Sequence, residues 1–307
     1  MMWKIRVLRS LHKVSQMSDK IGIGRLGFVQ SLKRHTRQVA VGSLTEHGAV
    51  EIKIDGIRFY VYHGTEDFHS YADRAFEPYT VELFKRSIKP GATVLDVGAQ
   101  FGFFTLLAAR QAGRAGKVYA FEPAAANYKL LQRNVQVNGY SQSVRIIQKA
   151  AGKRRETVPF FVYEASDSHG MYRHPQALLR EEALVECVTV DEVIEGRGAD
   201  VIKMDIEGNE PCALDGMKQT ISRSGDLVLI AELAPAYLRR AGFAPEDYLA
   251  KLEELGFSVR AIDERTHTLL TVSPEFLRES EQDPTWCANL YCRKASLPGT
   301  RLEQKPT

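Results

Sequence analysis

The stretch that most constrains this chain is Val94-Leu95-Asp96-Val97-Gly98-Ala99-Gln100-Phe101-Gly102-Phe103, followed by Phe121-Glu122-Pro123. An apolar run of strand length enters a glycine turn, a helix-compatible segment follows, and the next apolar run ends on an acid. An open α/β sheet holds a ribose-bearing ligand in this way, at the carboxyl ends of its strands. Gly98 and Gly102 lack Cβ, so the backbone can turn sharply and lie against the ligand. Glu122 is placed to accept hydrogen bonds from two ribose hydroxyls.

The spacing discriminates among ligands. A dinucleotide fold wants G-x-G-x-x-G, with the pyrophosphate on the helix N-terminus. Here the run is D-x-G-x-x-x-G, and Ala99 and Gln100 stand where the second glycine is needed. An acid ahead of the first glycine repels a pyrophosphate and suits a cationic, amino-acid-bearing cofactor, a description that S-adenosyl-L-methionine meets. Phe101, Phe103 and Pro123 border the same turns and complete the expected cofactor contacts. A nicotinamide-dependent oxidoreductase on a related fold is the alternative. The missing G-x-G-x-x-G and the lack of a Tyr-x-x-x-Lys pair near the expected site argue against it.

The chain around this stretch alternates strand and helix signals. Val50–Ile54 and Ile57–Tyr62 flank Asp55-Gly56, which predicts a β-hairpin with a type I′ turn. A helix is expected from Phe76 to Ile88, ended by Pro90-Gly91. Strands are expected at 93–97, 117–121 and 144–149, with helices near 102–112 and 124–138. Residues 157–163 read as a further strand, at a sheet edge because of Pro159. Residues 164–182 read as a polar loop. A short strand at 186–190 precedes a helix capped at Asp191, and buried strands follow at 200–204 and 227–232. A helix near 245–255 leads to the last strands, which run from Phe257 to about Cys292. This divides the chain into an extension (1–75) containing the hairpin, an α/β domain (76–294) and a loose tail (295–307).

At 44% apolar and 26% charged residues, the composition is that of a soluble globular protein. No apolar run approaches transmembrane length, and no secretory signal is expected. Cys187, Cys212, Cys287 and Cys292 are scattered without C-x-x-C pairing, which points to reduced thiols and a cytoplasmic location. Charge is uneven: residues 1–40 carry nine Lys or Arg against Asp19, while the remainder carries 32 basic and 37 acidic groups. The basic arm, with Trp3, Ile5, Val7, Leu8 and Leu11, is compatible with a peripheral membrane contact or with a merely solvated helix. Nucleic-acid binding is not expected, since the arm has few aromatics and the main domain is mildly acidic.

Asp96-Val-Gly-Ala-Gln-Phe-Gly102, Phe121-Glu122-Pro123, Asn134-x-x-x-Asn138-Gly139, Thr189-Val-Asp191, Lys203-Met-Asp205-Ile-Glu207-Gly208-Asn-Glu210 and Ala231-Glu232 follow one another in that order. Together they resemble the FkbM family of S-adenosylmethionine-dependent methyltransferases over about residues 76–293. The resemblance implies a Rossmann-like class I methyltransferase fold, a mostly parallel sheet with helices on both faces. It also implies methylation of hydroxyl groups on sugars, lipid-linked glycans or polyketides, so the expected partner is a small-molecule or glycan acceptor. Gln100 stands where the family usually has Asn. Lys149-Ala150-Ala151 stands where many class I enzymes carry an acid that reads adenine.

Methyl transfer to an alcohol needs alignment of the nucleophile with the methyl carbon and a base or metal near the hydroxyl. Asp205, just past the fourth core strand, is the expected base or substrate-orienting carboxylate. Glu207 can join it in catalysis or in holding a divalent ion, or can simply belong to a turn that caps the next helix; no metal is assigned. His169, in a polar loop, is a further candidate base. Lys203, inside a buried strand, is expected to pair with a carboxylate. Glu232 faces the same crevice, to orient substrate or to pair with Lys203. Glu77 and Tyr79 border the cofactor by resemblance, or cap their helix. Tyr60, Tyr62, Phe68, Tyr71 and Tyr172 are candidates for stacking on sugar rings, or core residues. A non-catalytic scaffold remains the other reading, disfavoured by the intact Asp96, Gly98, Gly102, Glu122 and Asp205.

Overall fold

Asp55 and Gly56 both take positive φ, 49° and 85°, as a type I′ turn requires, and strands β1 (Ala49–Ile54) and β2 (Ile57–Tyr62) pair across them. The computed structural model describes residues 49–62, 71, 76–163, 169–174, 177–280, 283 and 285–295. The expectations for the basic arm, for Phe68 and for most of the tail lie outside them. The hairpin is docked by helix α3 (Ala125–Val137), whose asparagines act as a surrogate strand. Asn134 accepts from the Tyr60 N–H and donates to its carbonyl, and Asn138 does the same for Arg58. Two residues four apart on the helix meet two residues two apart on the strand. That is the physical content of the Asn-x-x-x-Asn spacing.

The central sheet has eight strands in the order β12-β11-β13-β10-β9-β3-β4-β5. Five of them are parallel: β5 (Val144–Ile147), β4 (Lys117–Phe121), β3 (Thr93–Val97), β9 (Val201–Met204) and β10 (Leu227–Leu233). Strands β13 (Ala288–Lys294), β11 (Ser258–Asp263) and β12 (Thr268–Thr271) add an antiparallel flank. Parallel strands are covered on both faces, so they read as continuous apolar runs. Val94, Leu95, Val97, Val201, Ile202 and Met204 are all fully buried, each contributing on the order of 1.5–3 kcal/mol. The two polar residues buried inside these runs, Asp96 and Lys203, sit opposite each other in register.

Helices α1 (Pro78–Ser87), α2 (Phe103–Ala112) and α3, with the hairpin, form one apolar layer of the fold. Helices α4 (Val190–Val193), α5 (Glu210–Asp215), α6 (Lys218–Arg223), α7 (Pro235–Arg240) and α8 (Pro245–Glu254) serve the other, and α9 (Pro274–Ser280) follows β12. This is the expected α/β architecture. β3 pairs with β4 on one side and β9 on the other, so the chain reverses its winding there. That switch point opens a crevice at the strands' carboxyl ends.

Two expectations are corrected. Part of the supposed loop is strand: β8 (Leu179–Val188) pairs with β7 (Glu156–Tyr163) in a separate three-stranded sheet with β6 (Ala150–Ala151). Most of its first eight residues are exposed, so no buried apolar face announced it. Pro159 lies on β7, an edge strand of that sheet, as expected. The cap of α4 is Thr189, which accepts from the Glu192 N–H. Asp191 instead accepts from the N–H groups of Gln219 and Thr220, capping α6.

Candidate active site

The loops after β3 and β9 touch. Gly98 has φ +90°, and a Cβ placed on it would lie 1.9 Å from the backbone oxygen of Asp205. Only glycine fits this crossing, which joins the two halves of the expected site. The turn continues through Gln100 (φ 50°) to Gly102, which precedes α2. Glu122, just beyond the end of β4, is buried and accepts from the backbone N–H groups of Gln100 and Ala124, each at 2.8 Å. Burial pushes its carboxyl up to about 7, against these hydrogen bonds. Asp96 accepts from the Thr105 hydroxyl, and burial lifts it to about 6.

Phe101 and Phe103 stand apart from this polar floor. Their rings pack with Phe59 and Tyr71, and Phe76 adds to the cluster. Tyr71 is therefore core rather than a sugar platform. Tyr60 is bound to Glu51 and lies under Arg133. Tyr172 donates to Asn209 at 3.3 Å. Lys149, at the position where an adenine-reading acid was sought, pairs with Glu186.

On the β9 side, Lys203 is 1% exposed and its Nζ lies 3.0 Å from Asp205 Oδ2 and 3.2 Å from Asn289 Oδ1. Burial alone would lower this ammonium, but Asp205 and Glu77 together hold it above its usual range. The pairing expected of Lys203 is thus with Asp205 rather than Glu232. Glu207 and Gly208 take φ 58° and 97°, a left-handed pair that brings the Glu207 carboxylate alongside Asp205 and Glu232. One carboxylate oxygen from each of these three lies within 4.8 Å of the other two. The next helix makes no cap bond at Asn209, and Glu210 ties the turn by accepting from the Ile206 N–H. Glu232 Oε2 is shut off from solvent with no hydrogen-bond partner among the described residues, and burial drives that carboxyl well above its ordinary value.

Gly170, the residue after His169, packs on the cluster: a Cβ placed on it would lie 3.2 Å from Glu207 Cβ. The His169 Nδ1 accepts from the Tyr163 N–H at 3.2 Å. A neutral ring so bonded carries its proton on Nε2 and donates there.

Two participants gave no local signal in the sequence. Asn289, on β13, accepts from Lys203 and acts on the Glu77 carboxyl. Glu264, beyond β11, accepts from the N–H groups of Tyr79 and Thr80 and so caps α1. Each is joined to its partner across more than 80 residues, so only the sheet order reveals it.

The donor set decides what the crevice can hold. Among the described residues, Glu77, Asp96, Asp205 and Glu232 surround a single ammonium, Lys203. That excess of buried acid opposes a pyrophosphate and favours a ligand with positive charge. Each Glu122 oxygen already takes one backbone N–H, and the carboxylate's remaining acceptor capacity suits a ribose hydroxyl. S-adenosylmethionine, with a sulfonium, an α-ammonium and a ribose diol, fits this set. Among the described residues no helix is long and apolar enough to cross a membrane.

The family model for the methyltransferase FkbM domain matches residues 96–259, more than half of the chain. No curated protein matches the sequence. Among solved structures, a SAM-dependent methyltransferase from Aquifex aeolicus is similar at 16% identity and TM-score 0.36, covering 71% of this chain and 89% of its own. A SAM-dependent O-methyltransferase from Thermotoga maritima shows 13% identity and TM-score 0.39, over 81% of this chain and 78% of its own. M. jannaschii TYW2 in complex with AdoMet shows 16% identity and TM-score 0.41, over 82% and 89%. The chain belongs to the FkbM methyltransferase family, and S-adenosylmethionine is its cofactor.

Proposed function

We propose that the chain transfers a methyl group to oxygen, on a hydroxyl of a carbohydrate, a glycolipid or a glycosylated natural product. The observation that carries this reading is the convergence of Asp205, Glu207 and Glu232 at the carboxyl ends of β9 and β10, beside the Gly98 turn. An alcohol is a weak nucleophile at neutral pH and must give up its proton as it attacks. Several carboxylates at one point suit that need. When bound, the cofactor supplies an electrophilic methyl whose leaving group is a neutral thioether.

The residues divide the remaining work. Glu122 accepts the ribose hydroxyls, and the Gly98–Phe103 turn lies along the cofactor through its backbone. Lys203 holds Oδ2 of Asp205, which leaves Oδ1 to receive the acceptor hydroxyl and orient its oxygen toward the methyl. Glu232, enclosed and short of a donor, is suited to take the proton. Glu207 bounds the hydroxyl on the remaining side, and His169 donates from Nε2 in this reading rather than serving as base. The three carboxylates can also hold a divalent cation through oxygen ligands. The acidic balance of residues 41–307 supports a neutral acceptor over a nucleic acid.

The test is transfer of a labelled methyl from S-adenosylmethionine to a panel of free glycans, glycolipids, amines and RNA. Label in an alkali-stable ether of a sugar is the expected result. Label confined to nitrogen acceptors or RNA would overturn the oxygen assignment.

A further inference from the structure

Glu77 is the residue immediately before α1, yet it does not do what an acid there ordinarily does. Its side chain makes no cap hydrogen bond. The cap comes from Glu264, whose two oxygens accept from the N–H groups of Tyr79 and Thr80 at 2.8 Å each. Glu77 is also held at φ 38° and ψ 57°, a left-handed conformation that a non-glycine residue rarely adopts and that is retained where the surroundings require it. In that position the carboxylate lies close enough to Lys203, Asp205 and Asn289 for each to act on its charge. The residue as a whole is half-buried, but Oε2 is enclosed and has no hydrogen-bond partner among the described residues.

A buried acceptor without a donor is costly, and native proteins rarely leave one unmade. The missing group must therefore bring an N–H or O–H. It must also suit a wall where carboxylates outnumber the one ammonium. An uncharged alcohol acceptor brings a donor but no charge. The sulfonium brings charge but no hydrogen to donate. The α-ammonium at the amino-acid end of the cofactor brings both.

We propose that Glu77 is the carboxylate that receives the α-ammonium of S-adenosylmethionine, with Glu264 relieving it of the capping duty and Asn289 fixing its orientation. The proposal rests on S-adenosylmethionine as the cofactor and adds the recognition of its amino-acid end. Burial, which lifts the free carboxyl to about 7 despite Lys203, agrees with a group whose partner arrives with the ligand.

The experiment is calorimetric titration of wild type and Glu77→Gln with three ligands. These are S-adenosylmethionine, S-adenosylhomocysteine, and 5′-methylthioadenosine, which keeps the nucleoside and lacks the amino-acid end. Glu77→Gln should weaken the first two by about tenfold to a hundredfold, as for a charge-assisted hydrogen bond, and leave the third unchanged. Loss for S-adenosylmethionine alone would mean that Glu77 answers the sulfonium, and equal loss for all three would mean a structural role; either overturns the proposal. If the variant does not fold, wild type alone decides. It should bind S-adenosylhomocysteine more than tenfold more tightly than a fourth ligand, the S-adenosylhomocysteine analogue that carries hydrogen in place of the α-ammonium, and equal affinities would overturn the proposal. A wild type that binds none of these ligands would remove the cofactor assignment itself, a failure distinct from the others.

Discussion

The two walls of the crevice are built on different terms. On the β3–β4 wall the carboxylates are finished: Glu122 accepts two backbone N–H groups and Asp96 accepts the Thr105 hydroxyl, all from residues close in sequence. On the β9–β10 wall they are unfinished. Lys203 binds Asp205, while Glu77 and Glu232 each keep an enclosed oxygen with no donor among the described residues. A finished wall recognises by shape and can be complete before the ligand arrives. An unfinished wall stores unsatisfied acid, and ligand or reacting groups must complete it. The difference assigns holding of the cofactor's nucleoside to the first wall and the reacting end to the second.

The comparison can be broken most severely at Lys203. Replacing it by Met leaves several buried carboxylates around an empty position, so Lys203→Met should lower stability by about 3–5 kcal/mol at pH 8. Chemical denaturation measures this. An unchanged midpoint would mean that Lys203 is not the ammonium that balances the second wall. A smaller effect belongs to the first wall: Glu122→Ala should weaken S-adenosylmethionine binding by about 1–3 kcal/mol, read by calorimetry. Unchanged affinity would leave Glu122 a turn-building residue only.

A pH slope extends the comparison to the buried acids of both walls. Burial holds Glu77, Glu122 and Glu210 near 7 and Asp96 near 6, above the values these carboxyls take when unfolded. The folded protein without ligand therefore binds more protons than the unfolded chain between about pH 4.5 and 7, so its stability falls as pH rises through that window. His174, held below its usual value by burial, opposes this weakly. Saturating cofactor should flatten this decline by supplying donors to the ionised carboxylates of the crevice. Stability that instead rises from pH 5 to 7 would show that these carboxyls are not the dominant titrating groups.

The same division explains what could be read from the sequence. Asp96, Gly98, Gly102 and Glu122 lie at the ends of adjacent parallel strands, so strand length and glycine placement were enough to bring them together. Asp205, Glu207 and Glu232 were legible as acids at strand ends, but the left-handed pair Glu207-Gly208 that gathers them was not. The chain from Lys203 through Asn289 to Glu77 was illegible. It joins β9, β13 and the residue before α1, and no local pattern encodes the order in which β13 inserts beside β10. Strand β8 was partly missed for a related reason: it is held by pairing with β7, and most of its exposed residues bury no face.

The most direct test of this account measures cofactor affinity and methyl transfer together in Asp205→Asn. The substitution keeps the size of the side chain and removes the carboxylate that Lys203 positions. S-adenosylmethionine binding within about threefold of wild type, with turnover reduced by about a hundredfold or more, is the expected result. Full turnover in Asp205→Asn would contradict the assignment of the second wall to the reacting end.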